Sequence, residues 1–155
     1  MEDLLTDLLA KPVPASKTKR WVACIIDYII FLVVFGIITF CFGKPVIDDD
    51  GDRVSQLTGA SAFFAVVLPW FLLLPGIEFY NKGQTIGKAL FRIRTVNYDS
   101  SALTLGKAVL RHLFDLIDYL PFLGITGIVV ASNNKNKQRV GDLVAKTIVV
   151  EANDI

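Results

Sequence analysis

Five charged residues stand in or beside apolar runs, Arg20, Asp27, Arg111, Asp115 and Asp118, and Arg139 and Asp142 of the basic tail join them as candidates. Asp27 is the most exceptional of them. The residues that follow it, Tyr28 to Phe42, carry no charge at all. A carboxylate held within a membrane span is costly unless it is paired, and by default it marks a proton- or ion-handling site. Arg111 and Asp115 are four apart and Asp118 is seven from Arg111, so the three share one helical face. Asp27 likewise lies seven from Arg20, with Ala23 near the same stripe. Two helices bearing such stripes can face one another and exchange ion pairs, with Asp27 expected on Arg111. Two readings stay open: a charge-paired packing seam, or a polar pathway or ligand site. His112 has no companion set of metal ligands and reads as a satisfied polar residue.

The elements that must position these groups are mostly helices. At about 1.5 Å per residue, Trp21 to Phe42 extends roughly 33 Å, matching a hydrocarbon core of about 30 Å. Lys17, Lys19, Arg20 and Trp21 mark its entrance. A second span covers 60–80, with Pro69 and Pro75 as expected kinks and Glu78 near its end, at the interface and paired with Lys82. A third apolar region, 108–131, carries its charges in its first half and is interrupted at Pro121. Ahead of the spans, residues 1–16 form an amphipathic segment and linker, with Leu4, Leu5, Leu8 and Leu9 on one face before Pro12 and Pro14.

The connections carry weaker signals. The acidic run Asp48-Asp49-Asp50-Gly51-Asp52 reads as a solvated loop. Aligning Gly51 with the turn glycine of an EF-hand puts Val46 and Leu57 at ligand positions, which fails. Phe91 to Val96 alternates, Asn97 to Ser100 turns, and Ala102 to Leu105 follows, the pattern of a small cytosolic β-hairpin. Thr147 to Val150 reads as a strand able to pair with Arg92 to Val96. Gly83 to Lys88 resembles a phosphate loop only superficially, because Lys82 and Ala89 stand where Gly and Ser or Thr are required.

Composition sets the class. Of 155 residues, 53% are hydrophobic and 20% charged, and the formal net charge is +1. That balance argues for a lipid bilayer as partner and against nucleic acid. Cys24 and Cys41, seventeen apart on one helix, are too distant to bridge and read as small buried apolar residues. The acidic start (Glu2, Asp3, Asp7) is unlike a cleaved signal peptide, so the first span is expected to remain. Basic residues cluster before the first span, in 81–107 and in the tail, which predicts both termini in the cytosol. A third full crossing conflicts with that charge distribution, so 108–131 is expected to re-enter, with full crossing as the alternative. The expected fold is therefore an all-α membrane protein: two transmembrane helices, a third re-entrant or spanning region, and a small hairpin. The membrane domain runs 17–150, and 151–155 is a short tail.

Three separated motifs then resemble the RDD family of small membrane proteins. They are Arg20-x-x-Ala23-x-x-x-Asp27, then Gly83-Gln84-Thr85-Ile86-Gly87-Lys88, then Arg139-Val140-Gly141-Asp142 followed by Thr147-Ile148-Val149-Val150. The resemblance covers roughly Lys17 to Val150 and maps the family's arginine and two aspartates onto Arg20, Asp27 and Asp142. Ala145-Lys146-Thr147 departs from the glycine common in that last motif. The family implies a multi-pass protein of the cytoplasmic membrane, with transport of unidentified ligands suggested. Arg20 and Asp142 are expected to latch the tail to the first helix. The leading function is transport of a cation or small ligand by a homo-oligomer, with Asp27 as the coupling carboxylate. The alternative is a membrane adaptor or assembly factor that binds a membrane or cytosolic protein through hairpin and tail. No nucleophile–base pair, cofactor motif or metal set suggests an enzyme.

Overall fold

The structure is a computed structural model and describes residues 13–115, 125–133 and 136–152. Helix α1 spans Lys17–Phe42, opened by Ser16, whose hydroxyl accepts the Lys19 N–H. A β-hairpin, β1 (Lys44–Ile47) and β2 (Arg53–Gln56), turns the chain back. Then α2 (Ala60–Phe71), a π-helical turn (Leu72–Gly76) and α3 (Ile77–Tyr80) form a continuous second helix. Short helix α4 (Ile86–Leu90), strand β3 (Ile93–Asn97) and helix α5 (Leu105–Leu113) follow. Helices α6 (Ile125–Ser132) and α7 (Val140–Ala145) lead to strand β4 (Thr147–Glu151).

The burial pattern of α1 is the inverse of a soluble helix. Its buried residues are Arg20, Ala23 and Asp27, whereas Ile29, Leu32, Val33, Ile37 and Phe40 are exposed. The second helix likewise exposes Phe63, Phe64, Leu68 and Leu72 while burying Glu78. An apolar surface of this extent, on helices of 26 and 21 residues, belongs in lipid rather than water. These two are the membrane-span candidates among the described residues.

The elements that follow the second helix gather at the Lys17 end of α1 and the Tyr80 end of the second helix, whereas the β1–β2 hairpin lies at the Phe42 end. Strands β3 and β4 pair antiparallel, with Thr95 opposite Val149, which is the pairing expected for the tail. The companion strand expected at Ala102 to Leu105 does not form. The Asn97–Ser101 turn is present, with Asn97 N–H donating to the Ser101 carbonyl at 3.1 Å, but the chain then leaves the sheet and Leu105 opens α5. Thr147–Glu151 wins because it buries residues on both faces: Val149 packs with Ala15, Ala23 and Ile93, while Ile148 and Val150 pack with Val96. The far edge of β4 is covered by Pro14 and Ala15, whose N–H donates to the Val149 carbonyl at 2.9 Å.

Three other expectations change. The acidic run is mostly exposed, as expected of a solvated loop, but it is the tip of the β1–β2 hairpin, where the Asp48 carboxylate accepts the N–H groups of Asp50 and Asp52, so the described residues carry two small antiparallel sheets where one hairpin is expected. Cys41 is exposed on the apolar face of α1 and Cys24 is half-buried, rather than both being buried. Pro75 falls in the π-helical turn, where a wider helical ring absorbs its missing donor. The Leu4–Leu9 face, Asp118 and the Pro121 bend lie outside the described residues.

Candidate functional site

Where the two spans end on the tail's side, eight charged side chains of both signs gather, all buried except the half-buried Arg139. The carboxylates are Asp27, Glu78, Asp115 and Asp142, and the cations are Arg20, Lys88, Arg111 and Arg139. Each comes from a position that local structure fixes. Arg20 and Asp27 lie two turns apart on the inward stripe of α1. Glu78 follows the π-helical turn, whose extra residue re-aims the last turn of the second helix toward the protein interior. Asp142, at the third position of α7, accepts the Arg139 backbone N–H at 3.1 Å, half of a capping box.

Asp142 is wholly buried and collects three arginines. Arg20 Nη2 donates to one carboxylate oxygen, while Arg111 holds the other through Nε at 2.9 Å and Nη2 at 2.7 Å. Arg139 Nε stands 3.9 Å away. Arg20 also donates to the Lys137 carbonyl. The start of α1 and the tail are thus tied by charge-assisted bonds. Burial alone would push the Asp142 carboxyl up, but Arg20, Arg111 and Arg139 together hold it far below the usual carboxylate range.

Glu78 is not at an interface beside Lys82. It is fully buried and accepts from Lys88 Nζ, from Arg111 Nη1 at 2.5 Å and from the Thr95 hydroxyl at 2.7 Å. Its other oxygen faces His112 Nε2 at 3.0 Å. The expectation failed because the π-helical turn changes which way residue 78 points, and helical periodicity cannot register that shift. Lys88 also donates to Thr95 Oγ1 at 3.1 Å. Burial drives the Lys88 ammonium below its ordinary value, with Glu78 working against the shift.

Asp27 does not meet Arg111, which is committed to Glu78 and Asp142. One Asp27 oxygen accepts the Thr85 hydroxyl at 2.5 Å and the other the Gly87 N–H at 2.7 Å. Thr85 in turn caps α4, accepting the Lys88 N–H. The Gly83–Lys88 motif thereby acquires a physical reading: it docks a backbone turn on the carboxylate of α1. Gly87 lies so close that a Cβ there would sit 2.1 Å from the Ala23 carbonyl oxygen, so Ala23 and Gly87 form one contact. Gln84 donates its amide to the Ile93 carbonyl at 3.1 Å, and Gly83, at φ +94°, donates to Glu78 and accepts from Thr95. No phosphate-cradling loop results: the amide that such a loop would offer an anion serves Asp27.

Asp115 binds His112 Nδ1 at 2.7 Å and Arg139 Nη1 at 3.3 Å, and Tyr28 Oη stands 3.5 Å from it. Burial raises its carboxyl, and Arg139 and His112 more than reverse the effect. The expected set of seven therefore divides. Arg20, Asp27, Arg111, Asp115, Arg139 and Asp142 enter the cluster, and Asp118 lies outside the described residues. Sequence reasoning missed Glu78, Thr95 and His112 as members, and singled out Lys88 only as part of the Gly83–Lys88 motif. The available signal was that all three are polar positions beside apolar runs. Between α1, the second helix and α5 a small cleft remains, with room for about one water molecule, lined by Asp27, Tyr28, Leu74, His112, Asp115 and Arg139 among others. Among the described residues no group of His, Cys, Asp and Glu is arranged to hold a metal ion.

Fold and site together define a membrane protein whose two candidate spans are joined at one end by a buried, nearly neutral ionic cluster. The sequence profile of the RDD family matches residues 14–146, and the chain belongs to that family. It is similar to an uncharacterized protein of Haemophilus influenzae, 28% identical over 142 residues, which cover 88% of this chain and 78% of that protein. No solved structure matches.

Proposed function

We propose that this protein carries protons or a small cation across the cytoplasmic membrane, using Asp27 as the binding carboxylate. One observation carries the reading. Of the four buried carboxylates among the described residues, Asp27 is the one without a cation within 4.0 Å. Its bonds to Thr85 and Gly87 orient it without neutralising it, and it opens on the water-sized cleft. A buried carboxylate with hydrogen bonds but no counter-ion can take a proton or a cation in exchange for its missing charge partner.

The topology proposed with it has both ends in the cytosol and 108–131 dipping in and returning. The support is that three points of the chain meet beside the start of α1: Pro14 bridges Val150, Lys19 pairs with Glu151 at 2.8 Å, and Lys17 Nζ donates to Ser132 Oγ at 2.8 Å. Residues before the first span and after the third region then share one face, and the basic residues assign that face to the cytosol. Two spans cannot enclose a pathway, so copies of the chain would complete it as a closed homo-oligomer.

The test is proton and monovalent-cation flux in proteoliposomes, beside Asp27→Asn at equal protein density. Flux in the parent and its loss in the variant is the expected result. No flux in either correctly folded protein refutes transport of those ions. A partner protein co-purifying in fixed ratio would move the assignment to an adaptor.

A further inference from the structure

His112 is the single histidine of the chain, and both of its ring nitrogens face carboxylates on different elements. Nδ1 lies 2.7 Å from Asp115 Oδ2 and Nε2 lies 3.0 Å from Glu78 Oε2. An ionised carboxylate only accepts, and a neutral imidazole donates from one nitrogen alone. A neutral ring would therefore set a lone pair against an oxygen lone pair on one side. Moving the proton to a carboxylate instead is disfavoured, because Glu78 is held ionised by Lys88 and Arg111, and Asp115 by Arg139. The geometry is satisfied by an imidazolium that donates both ways.

The charges around the ring point the same way. Among the described residues of the cluster four carboxylates balance four Lys or Arg cations, so a proton on His112 adds one positive charge there. On α1, Arg20, Asp27 and Tyr28 line the cleft that the ring shares. From α4, Lys88 opposes the ring charge, as do Arg111 on α5 and Arg139 at the start of α7. Burial lowers the affinity of the ring for its proton, Asp115 and Glu78 raise it by more, and the net direction is upward.

We propose that His112 is a proton-binding site, loaded from the cleft it shares with Asp27 and occupied at neutral pH. The charge state stands on the geometry of the ring alone. Its consequence for flux rests on the transport reading above: carriage along the seam then varies with pH through His112, and Asp27 and His112 act as one coupled pair.

The experiment uses the full chain, labelled with ¹⁵N-histidine, purified through a histidine-free tag and placed in lipid nanodiscs. With one histidine, the spectrum contains one imidazole. The expected result is both nitrogens protonated at pH 7 and a titration midpoint above about 6.5, the ordinary histidine value. In Asp115→Asn the midpoint falls by about one unit or more, because the nearest carboxylate charge is gone. A neutral tautomer at pH 7, or a midpoint that Asp115→Asn leaves unmoved, overturns the proposal. In proteoliposomes, parent flux should change across that midpoint and His112→Gln flux should not. An unchanged pH profile in His112→Gln removes the coupling to Asp27. Absence of flux in both refutes the transport reading, while the nitrogen titration still decides the site.

Discussion

Asp142→Asn is the substitution that most directly tests whether the ionic cluster holds the fold together. The side chain is fully buried, so water cannot replace what is lost. The native carboxylate takes Arg20 on one oxygen and Arg111 on the other, at 2.9 and 2.7 Å, together with the Arg139 N–H at 3.1 Å. An asparagine keeps one acceptor, turns a donor NH₂ toward guanidinium groups, and removes the charge that offsets them. Breaking a buried ion pair by removing one partner costs about 3–5 kcal/mol, chiefly because the other charge stays buried and unpaired. Against a domain stability of about 5–15 kcal/mol, that is about a fifth or more of the total. The structural consequence should be release of the tail, since Asp142 ties α7 and β4 to the start of α1. Thermal unfolding in nanodiscs measures the loss, and trypsin cleavage after the exposed Lys146 reports the released tail. Glu151→Gln supplies the control. Its pair with Lys19, at 2.8 Å, has side chains 43% and 27% exposed, and its loss should cost under about 1 kcal/mol. Asp142→Asn unfolding within the range of that control, with an equally resistant tail, would refute the reasoning.

Two further outcomes follow from the same geometry. Gly87→Ala places a Cβ 2.1 Å from the Ala23 carbonyl oxygen, a backbone-to-backbone clash that neither side can relieve by changing rotamer. It should cost about 3 kcal/mol, the upper end for overpacking, and separate α4 from α1, read as a lowered melting temperature; an unchanged melting temperature would remove the docking role given to the motif. The pH dependence has a definite sign. The His112 ring is raised above its unfolded value, so its contribution is complete below about pH 6.5 and is lost as pH rises through the folded value. Asp115 and Asp142 are depressed, so theirs is complete above about pH 3.9 and is lost as pH falls through their folded values. Parent melting temperature minus that of His112→Gln should therefore shrink between pH 6 and pH 9, and a constant difference would contradict the assignment.

Several parts of this protein were legible from residue order because they are one-dimensional properties. The apolar run Trp21 to Phe42 specifies a candidate span by length and hydropathy. The alternation in Phe91 to Val96 and the β-branched Thr147 to Val150 specify strands, and the Arg20, Gly83–Lys88 and Arg139–Asp142 motifs specify the family. Helical spacing also placed Arg20, Ala23 and Asp27 on one stripe, which is the buried stripe of α1.

Tertiary structure alone decided which charge meets which. Spacing fixes the face of a helix a residue occupies but not the rotation or height of the neighbour, so it offers Arg111 to Asp27, whereas Arg111 holds Glu78 and Asp142, 33 and 31 residues away. The π-helical turn at Leu72–Gly76 turned Glu78 inward, and the polar backbone of the Gly83–Lys88 turn claimed Asp27 before any cation could. Burial makes each of these choices exclusive, because a charge removed from water must be satisfied by whatever the fold brings within reach.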